Sequence, residues 1–178
     1  MKWLTKRLRR TAREEDGVAS IEFVFALPIL MAIFMASFES GLFMTRSIML
    51  EQSLDMVMRE LRLGHYVTPT MALLKTEICK RTVVFQNCEA SLLIDLRKVN
   101  TTTFNLPTVA AGCVNRDEVI QPVTQLQIGQ QNELILLRAC IVEDAIFPTT
   151  GIGLQLTRTG QGGGYEIIAV SAFSNEPS

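Results

Sequence analysis

A run of 21 residues from Val18 to Phe38 contains a single charged side chain, Glu22. A helix needs about 20 apolar residues to cross the hydrocarbon core of a bilayer, so this run predicts one transmembrane helix. An acidic residue deep in such a helix costs about 2 to 3 kcal/mol on insertion scales and is a functional candidate by default. The run therefore predicts a membrane anchor and makes Glu22 the first candidate site residue.

The charges that flank this run predict its orientation. Six basic residues precede it within the first 13 positions, whereas Arg46 and Arg59 on the far side are sparser. The positive-inside bias then keeps the N-terminus cytoplasmic and exports the rest of the chain. A secretory signal has a shorter apolar core with its cleavage site after it. Cleavage after the run, releasing a soluble product, is the alternative, because small residues there could serve a signal peptidase: Ala36, Ser37, Ser40 and Gly41.

The stretch from Gly17 to Gly41, GVASIEFVFALPILMAIFMASFESG, resembles the N-termini of TadE/TadG-like proteins of the tight-adherence (Tad) pilus, a type IV pilus system. A basic leader ends in Gly17, and Glu22 is the fifth residue after it, as in the class III leaders of pilins and pseudopilins. The closing Asn175-Glu176-Pro177 is similar to the ending of TadE-like proteins.

This resemblance implies cleavage between Gly17 and Val18 by a prepilin peptidase, and subunit pairing in the membrane through Glu22 and Phe23. It implies a minor pilin or pseudopilin of a Tad-type pilus, which serves adhesion or secretion. The implied partners are other pilin-like subunits, the prepilin peptidase, the inner-membrane assembly platform and the lipid bilayer. The C-terminal domain would be periplasmic. The alternative function is an uncleaved single-pass membrane adaptor with no role in polymerisation. For Glu22 the alternative is snorkelling toward the cytoplasmic headgroups near Arg13.

Apolar residues at spacings of three and four continue beyond the membrane run as far as Leu61, and Gly64 is a stop signal. One helix from about Val18 to Leu63 is therefore predicted. The predicted division of the chain is a cytoplasmic leader (1–17), a transmembrane helix (18–43), an amphipathic extension (44–63) and a periplasmic domain (64–178).

Two features of the span concern its shape and packing. Pro28 cannot donate to the Val24 carbonyl, which predicts a kink or local melting near residues 24 to 28, either as a harmless bend or as a packing feature. Small residues recur at helical spacing and predict a face for close helix packing. They form two rows: Ala32, Ala36 and Ser40, and Ser37 with Gly41.

The exported part reads as an α+β domain with one core, because 115 residues follow Leu63. Thr68-Pro69 predicts the start of a short helix that runs to about Lys80. An antiparallel sheet of three to four strands is expected to lie on the long helix, with its strand order open and residues 100–131 as a loop. The predicted strands are Leu92–Val99, Glu133–Val142 and Tyr165–Phe173.

The four cysteines all lie on the predicted exported side: Cys79, Cys88, Cys113 and Cys140. An even number of cysteines in an oxidising compartment predicts disulfides, with three possible pairings. The favoured pairing is Cys79 with Cys88, closing a short loop, and Cys113 with Cys140, pinning the long loop to a strand.

Neither catalysis nor a cofactor is predicted. His65 is the only histidine, no Cys-x-x-Cys pair exists, and nucleophile-elbow, Walker and HExxH motifs are absent, which argues against enzyme and metal sites.

Gly160 to Gly164 precedes a strand and predicts a hairpin turn. Asp117-Glu118 and Glu143-Asp144 predict solvated surface. The net charge of −1, and of −4 for residues 18–178, argues against nucleic-acid binding.

Overall fold

The computed structural model describes residues 18–103, 112–130, 132–149, 151–156 and 163–174. The predicted leader with Gly17, and the closing Asn175-Glu176-Pro177, lie outside the described residues. The helices are α1 (Val18–Arg62), α2 (Met71–Arg81), α3 (Cys88–Ser91) and α4 (Gly151–Leu156). The strands are β1 (Leu92–Val99), β2 (Leu134–Glu143) and β3 (Tyr165–Ser174). The predicted α+β class, with a long N-terminal helix and an antiparallel sheet, is confirmed.

The helix α1 is 45 residues long, and at 1.5 Å per residue it extends for about 68 Å. It ends one residue before the predicted Leu63. Its backbone is helical throughout residues 24 to 28, so the local melting predicted at Pro28 does not occur, while a bend there stays a prediction. Gly64 follows the helix with a φ of 71°, a conformation that favours glycine and ends the helix.

The predicted start of α2 at Thr68-Pro69 is wrong. The helix begins at Met71, and Thr70 is its N-cap: the Thr70 side chain accepts a hydrogen bond of 3.2 Å from the Leu73 backbone N–H. The threonine that follows the proline, rather than the one that precedes it, is placed to satisfy the first turn of the helix. Two short helices, α3 and α4, were not predicted.

The three strands form an antiparallel sheet in the order β1-β2-β3, so that β2 is central. Their ends lie within one residue of the predicted ones. The predicted hairpin turn at Gly160 to Gly164 lies in the connection between the antiparallel neighbours β2 and β3, and this connection also contains α4. Residues 160 to 162 lie outside the described residues, so the turn itself stays a prediction. Of these glycines, Gly163 and Gly164 are described, and both adopt positive φ directly before β3.

The core lies between one face of the sheet and the second half of α1. Five apolar side chains of α1 recur on one face and are buried: Leu50, Leu54, Val57, Met58 and Leu61. They meet the sheet face that contains Leu96, Leu137 and Ile167, and α2 closes the core with Leu74 and Ile78. The second half of the long helix is thus the central support of the domain.

Two disulfides join the loops to this core, in the pairing favoured from the sequence. Cys79 pairs with Cys88 across a Cα–Cα distance of 5.7 Å, and Cys113 pairs with Cys140 across 5.4 Å. The segment of residues 112–130 also covers the outer edge of β1, since the Leu96 N–H donates to the Gln125 carbonyl over 2.8 Å.

Candidate functional site

The first half of α1 is apolar and unburied. Every side chain from Ala19 to Phe34 is exposed, and its most apolar 18-residue window has a mean hydropathy of 2.2 with none of it buried. A helix that is hydrophobic on all sides needs an apolar environment around it. Among the described residues it is the one helix long and apolar enough to cross a membrane. This segment is therefore a single-pass membrane anchor.

The residues assigned to leader cleavage and subunit pairing lie at the start of this anchor. Val18 is the first helical residue of α1, while its predicted cleavage partner Gly17 is not described. Glu22 and Phe23 are both exposed, and Phe23 has 62% of its surface accessible. Their side chains are therefore available to a neighbouring helix, and pairing through them stays a prediction.

The two predicted rows of small residues have different environments. Ala36 is partly buried against the domain, because a Cβ added at Gly151 would lie 3.3 Å from the Ala36 Cβ. Ser40 is also partly buried, whereas Ala32 is exposed. On the second row, Ser37 and Gly41 are exposed, and a Cβ added at Gly41 would meet nothing within 4 Å. The second row is the one left open for a neighbouring helix.

Glu39 forms the junction between the anchor and the domain. It is 1% exposed, and its Oε2 accepts hydrogen bonds from the backbone N–H groups of Ile146 (3.0 Å) and Phe147 (3.1 Å). Its Oε1 is buried and has no hydrogen-bond partner among the described residues. These two hydrogen bonds hold the loop after β2 onto α1.

Apolar contacts support the same junction. The rings of Phe38 and Phe147 meet edge to face with centroids 6.2 Å apart, and Phe34 stacks on Phe38 at 6.4 Å. Gly151 starts α4 with a φ of 52° beside Ala36, where a larger residue would collide with the helix. The domain therefore begins to contact α1 at about Ala36, before the predicted boundary between residues 43 and 44.

Two turns further along α1, Arg46 connects the helix to the ends of β2 and β3. It is 3.5 Å from the Glu143 carboxylate, donates a hydrogen bond of 3.2 Å to the Asp144 carbonyl and another to the Tyr165 hydroxyl. Its guanidinium also lies over the Tyr165 ring, 5.9 Å from the centroid, and Phe43 meets that ring at 5.5 Å. The prediction that Glu143 is solvated surface is wrong, because the side chain points into this contact and is buried.

Burial governs the ionisation of this cluster. It raises the pKa of Glu143 above its ordinary value, and the opposite charges of Arg46 and Arg116 offset this only in part. Burial likewise raises the pKa of Tyr165, against a lowering effect of Arg46. For both groups, the effect of burial on the pKa outweighs the opposite effect of the neighbouring arginines.

A groove of about 600 Å³ borders the cluster, between α1, α3 and the 112–130 segment. Its charged groups face one another: Arg46 pairs with Glu143, and Arg116 lies 2.6 Å from the Asp144 carboxylate. His65 lies elsewhere, exposed to solvent and in contact with Glu60. The charged groups of the groove are therefore paired with one another. Among the described residues that line the groove, His65 does not occur.

One group of possible metal ligands occurs among the described residues. Cys113, Cys140 and Glu166 have ligand atoms within 4.8 Å of one another. The two sulfurs are joined in a disulfide and offer no thiolate, which is the form that binds metals. These residues do not fit a metal in the oxidised protein, and the expected absence of metals and cofactors stays a prediction.

Sequence reasoning did not identify Glu39 or Arg46 as functional residues. The signal for Glu39 was present, since it is the one acidic residue between Glu22 and Glu51 and directly follows the apolar run. Its partners lie 107 and 108 residues further along the chain, which no local pattern indicates.

Comparison with known families adds one finding. The TadE-like protein family model matches residues 17–59, which include the anchor, Glu39, Arg46 and most of the helix beneath the sheet. No curated protein and no solved structure gives a significant match. The resemblance noted in the sequence is confirmed over residues 17–59, where this chain is similar to TadE-like proteins.

Proposed function

We propose that this protein is a TadE-like minor pilin or pseudopilin that takes part in the assembly of a Tad-type pilus at the inner membrane. One observation carries the proposal: the apolar, unburied first half of α1 continues without a break into the helix that supports the domain, and the TadE-like match covers both parts. A subunit built this way can remain in the bilayer by its anchor and present its domain to other subunits.

The proposed location is the inner membrane, with the N-terminus cytoplasmic and the domain periplasmic. The basic leader favours this orientation. Two disulfides, which persist in oxidising compartments, support an exported domain. Non-reducing peptide mapping of protein from the cell envelope is expected to recover both bridges. Four cysteines that react with an alkylating agent would contradict export.

Subunit recruitment is proposed to occur through Glu22. Cleavage after Gly17 would create an α-amino group on Val18, with a reference pKa near 8, so that it carries a positive charge at neutral pH. A carboxylate in lipid is costly alone, and a cation from a neighbouring helix offsets that cost. Phe23 and the exposed Ser37–Gly41 row would pack against the same neighbour. The proposed partners are other pilin-like subunits, the prepilin peptidase, the assembly platform and the bilayer.

No enzymatic role is proposed, and the groove beside Arg46 supports a structural role. Its charged groups pair with one another rather than pointing toward a substrate. Glu143 and Tyr165, whose pKa values are raised by burial, belong to the same contact.

The direct test is the Glu22→Gln variant in a strain that assembles the pilus. We expect normal membrane insertion and a folded domain, together with reduced crosslinking to pilin-like subunits and a reduced yield of surface pili. Glu51→Gln is the matched control, because Glu51 is exposed on the domain half of the same helix. Normal pilus assembly by a stably inserted Glu22→Gln variant would refute the pairing role.

Leader processing separates this proposal from the adaptor alternative. The intact mass of membrane-extracted protein is expected to correspond to a chain that begins at Val18. Retention of Met1 in a strain that makes pili would favour the uncleaved adaptor.

A further inference from the structure

The segment after β2 contains an apolar surface that the anchor alone does not explain. From Ala145 to Leu156 the chain has 12 residues and no charged side chain. Leu154 is 63% exposed and Ile146 is 49% exposed, in the part of this segment that packs beside the membrane helix. Exposed apolar side chains beside a membrane helix make this segment a candidate contact site.

The position of this segment along α1 indicates the partner. Gly151 faces Ala36, Phe147 meets Phe38, and the amides of Ile146 and Phe147 bond Glu39. These helix residues lie 18 to 21 positions after Val18, which is about 27 to 32 Å at 1.5 Å per residue. The hydrocarbon core is about 30 Å thick, so the segment lies at the level where α1 leaves the core.

We propose that residues 146–149 and 151–156 form a second, peripheral membrane contact, in which Leu154 and Ile146 enter the boundary between headgroups and acyl chains on the domain side of the bilayer. The occupant is lipid, because the segment is uncharged and continuous with the exposed apolar surface of the anchor at Phe34 and Phe38. Interfacial segments bury their apolar side about 5 to 10 Å into this boundary. This proposal rests on the membrane anchoring of the proposed function.

Such a contact would give the domain two attachments to the membrane. A single helix leaves a domain free to tilt relative to the bilayer. The second contact, connected to the helix through Glu39, would fix how deep α1 lies and which face of the sheet points away from the membrane.

Lipid-dependent quenching of tryptophan fluorescence tests this contact. The single tryptophan of the chain, Trp3, is replaced by phenylalanine, and tryptophan is introduced at Leu154. The full chain is reconstituted at low protein density into phosphatidylcholine vesicles with brominated acyl chains. We expect Leu154→Trp to be quenched most by bromines near the headgroup end of the chain.

Leu63→Trp is the matched control. Leu63 is 52% exposed and follows α1, 25 residues beyond Phe38 or about 38 Å along the helix axis, so it should not be quenched. Phe25→Trp, inside the span, reports the anchor itself and should be quenched most by bromines deep in the bilayer. If Phe25→Trp escapes quenching, the anchoring in the proposed function fails. If Phe25→Trp is quenched and Leu154→Trp behaves like Leu63→Trp, the second membrane contact is wrong.

Discussion

The two halves of α1 belong to one continuous helix but have different surroundings. Between Ala19 and Phe34 every side chain is exposed and nearly all are apolar, whereas between Leu50 and Leu61 one apolar face is buried and charged residues occupy the other. The first pattern suits lipid, which surrounds a helix on all sides, and the second suits a sheet, which covers one side. The way apolar residues are distributed around each half of the helix therefore indicates what surrounds that half.

The largest effect is expected from a pair of leucine-to-alanine changes that compare the two halves. Leu54 is 1% exposed in the core and Leu30 is 64% exposed on the anchor. Leu54→Ala should lower the free energy of unfolding of the domain by about 2 to 5 kcal/mol, because it leaves a cavity. Leu30→Ala should leave it unchanged. Denaturant unfolding in detergent micelles measures both. Equal losses would show that the anchor is folded into the domain.

The second prediction tests the junction between the halves. Glu39→Ala removes the acceptor for the Ile146 and Phe147 amides, and should lower local stability by about 1.5 to 3 kcal/mol. Hydrogen exchange at these two amides measures the effect. Glu39→Gln keeps a neutral acceptor oxygen and should lose less. Unchanged protection in Glu39→Ala would mean that other contacts hold the loop.

The third prediction compares two glycines beside the anchor. Gly151→Ala places a Cβ near Ala36 at a positive φ, and should destabilise the junction by about 1 to 2 kcal/mol. The Cβ that Gly41→Ala adds has no atom within 4 Å, so this change should stabilise α1 by about 0.5 to 1 kcal/mol. Thermal unfolding of both variants gives the comparison. A destabilised Gly41→Ala variant would show that the Ser37–Gly41 row is already packed in the single chain.

The smallest effect concerns α2, far from the anchor. Hydrogen bonds from Lys80 and Arg81 hold the pKa of Glu77 below its ordinary range. Because the folded-state pKa is the lower one, the stabilisation is present at neutral pH and is lost as the pH falls below about 4.3. We expect Glu77 to contribute at most about 1 kcal/mol to the free energy of unfolding.

Unfolding of the wild type and of Glu77→Gln at pH 7 and pH 3 should show a smaller pH dependence in the variant. Glu51→Gln, an exposed change on α1, serves as the control. An identical pH dependence in all three proteins would rule out a contribution from Glu77.

The elements were predictable from sequence where a local pattern is sufficient. The strand Leu92–Val99 is found at its predicted bounds, because a run of eight mostly apolar residues between polar ones is typical of a buried strand. The start of α2 was misplaced because two threonines flank Pro69, and only the backbone geometry decides which one caps the helix. The helix α4 was not predicted because this short, apolar segment has a weak helical pattern of its own.

The sequence alone determined the anchor, the continuity of α1 and the stretches that become strands, because each depends on how apolar residues follow one another along the chain. Only the tertiary structure decided the strand order, the burial of Glu39 under Ile146 and Phe147, and the approach of Arg46 to Glu143 and Tyr165. The contacts of Glu39 and Arg46 join residues about 100 or more positions apart, and the strand pairs also join residues distant in sequence. Their energies depend on distance and burial in the folded chain, which no local pattern records.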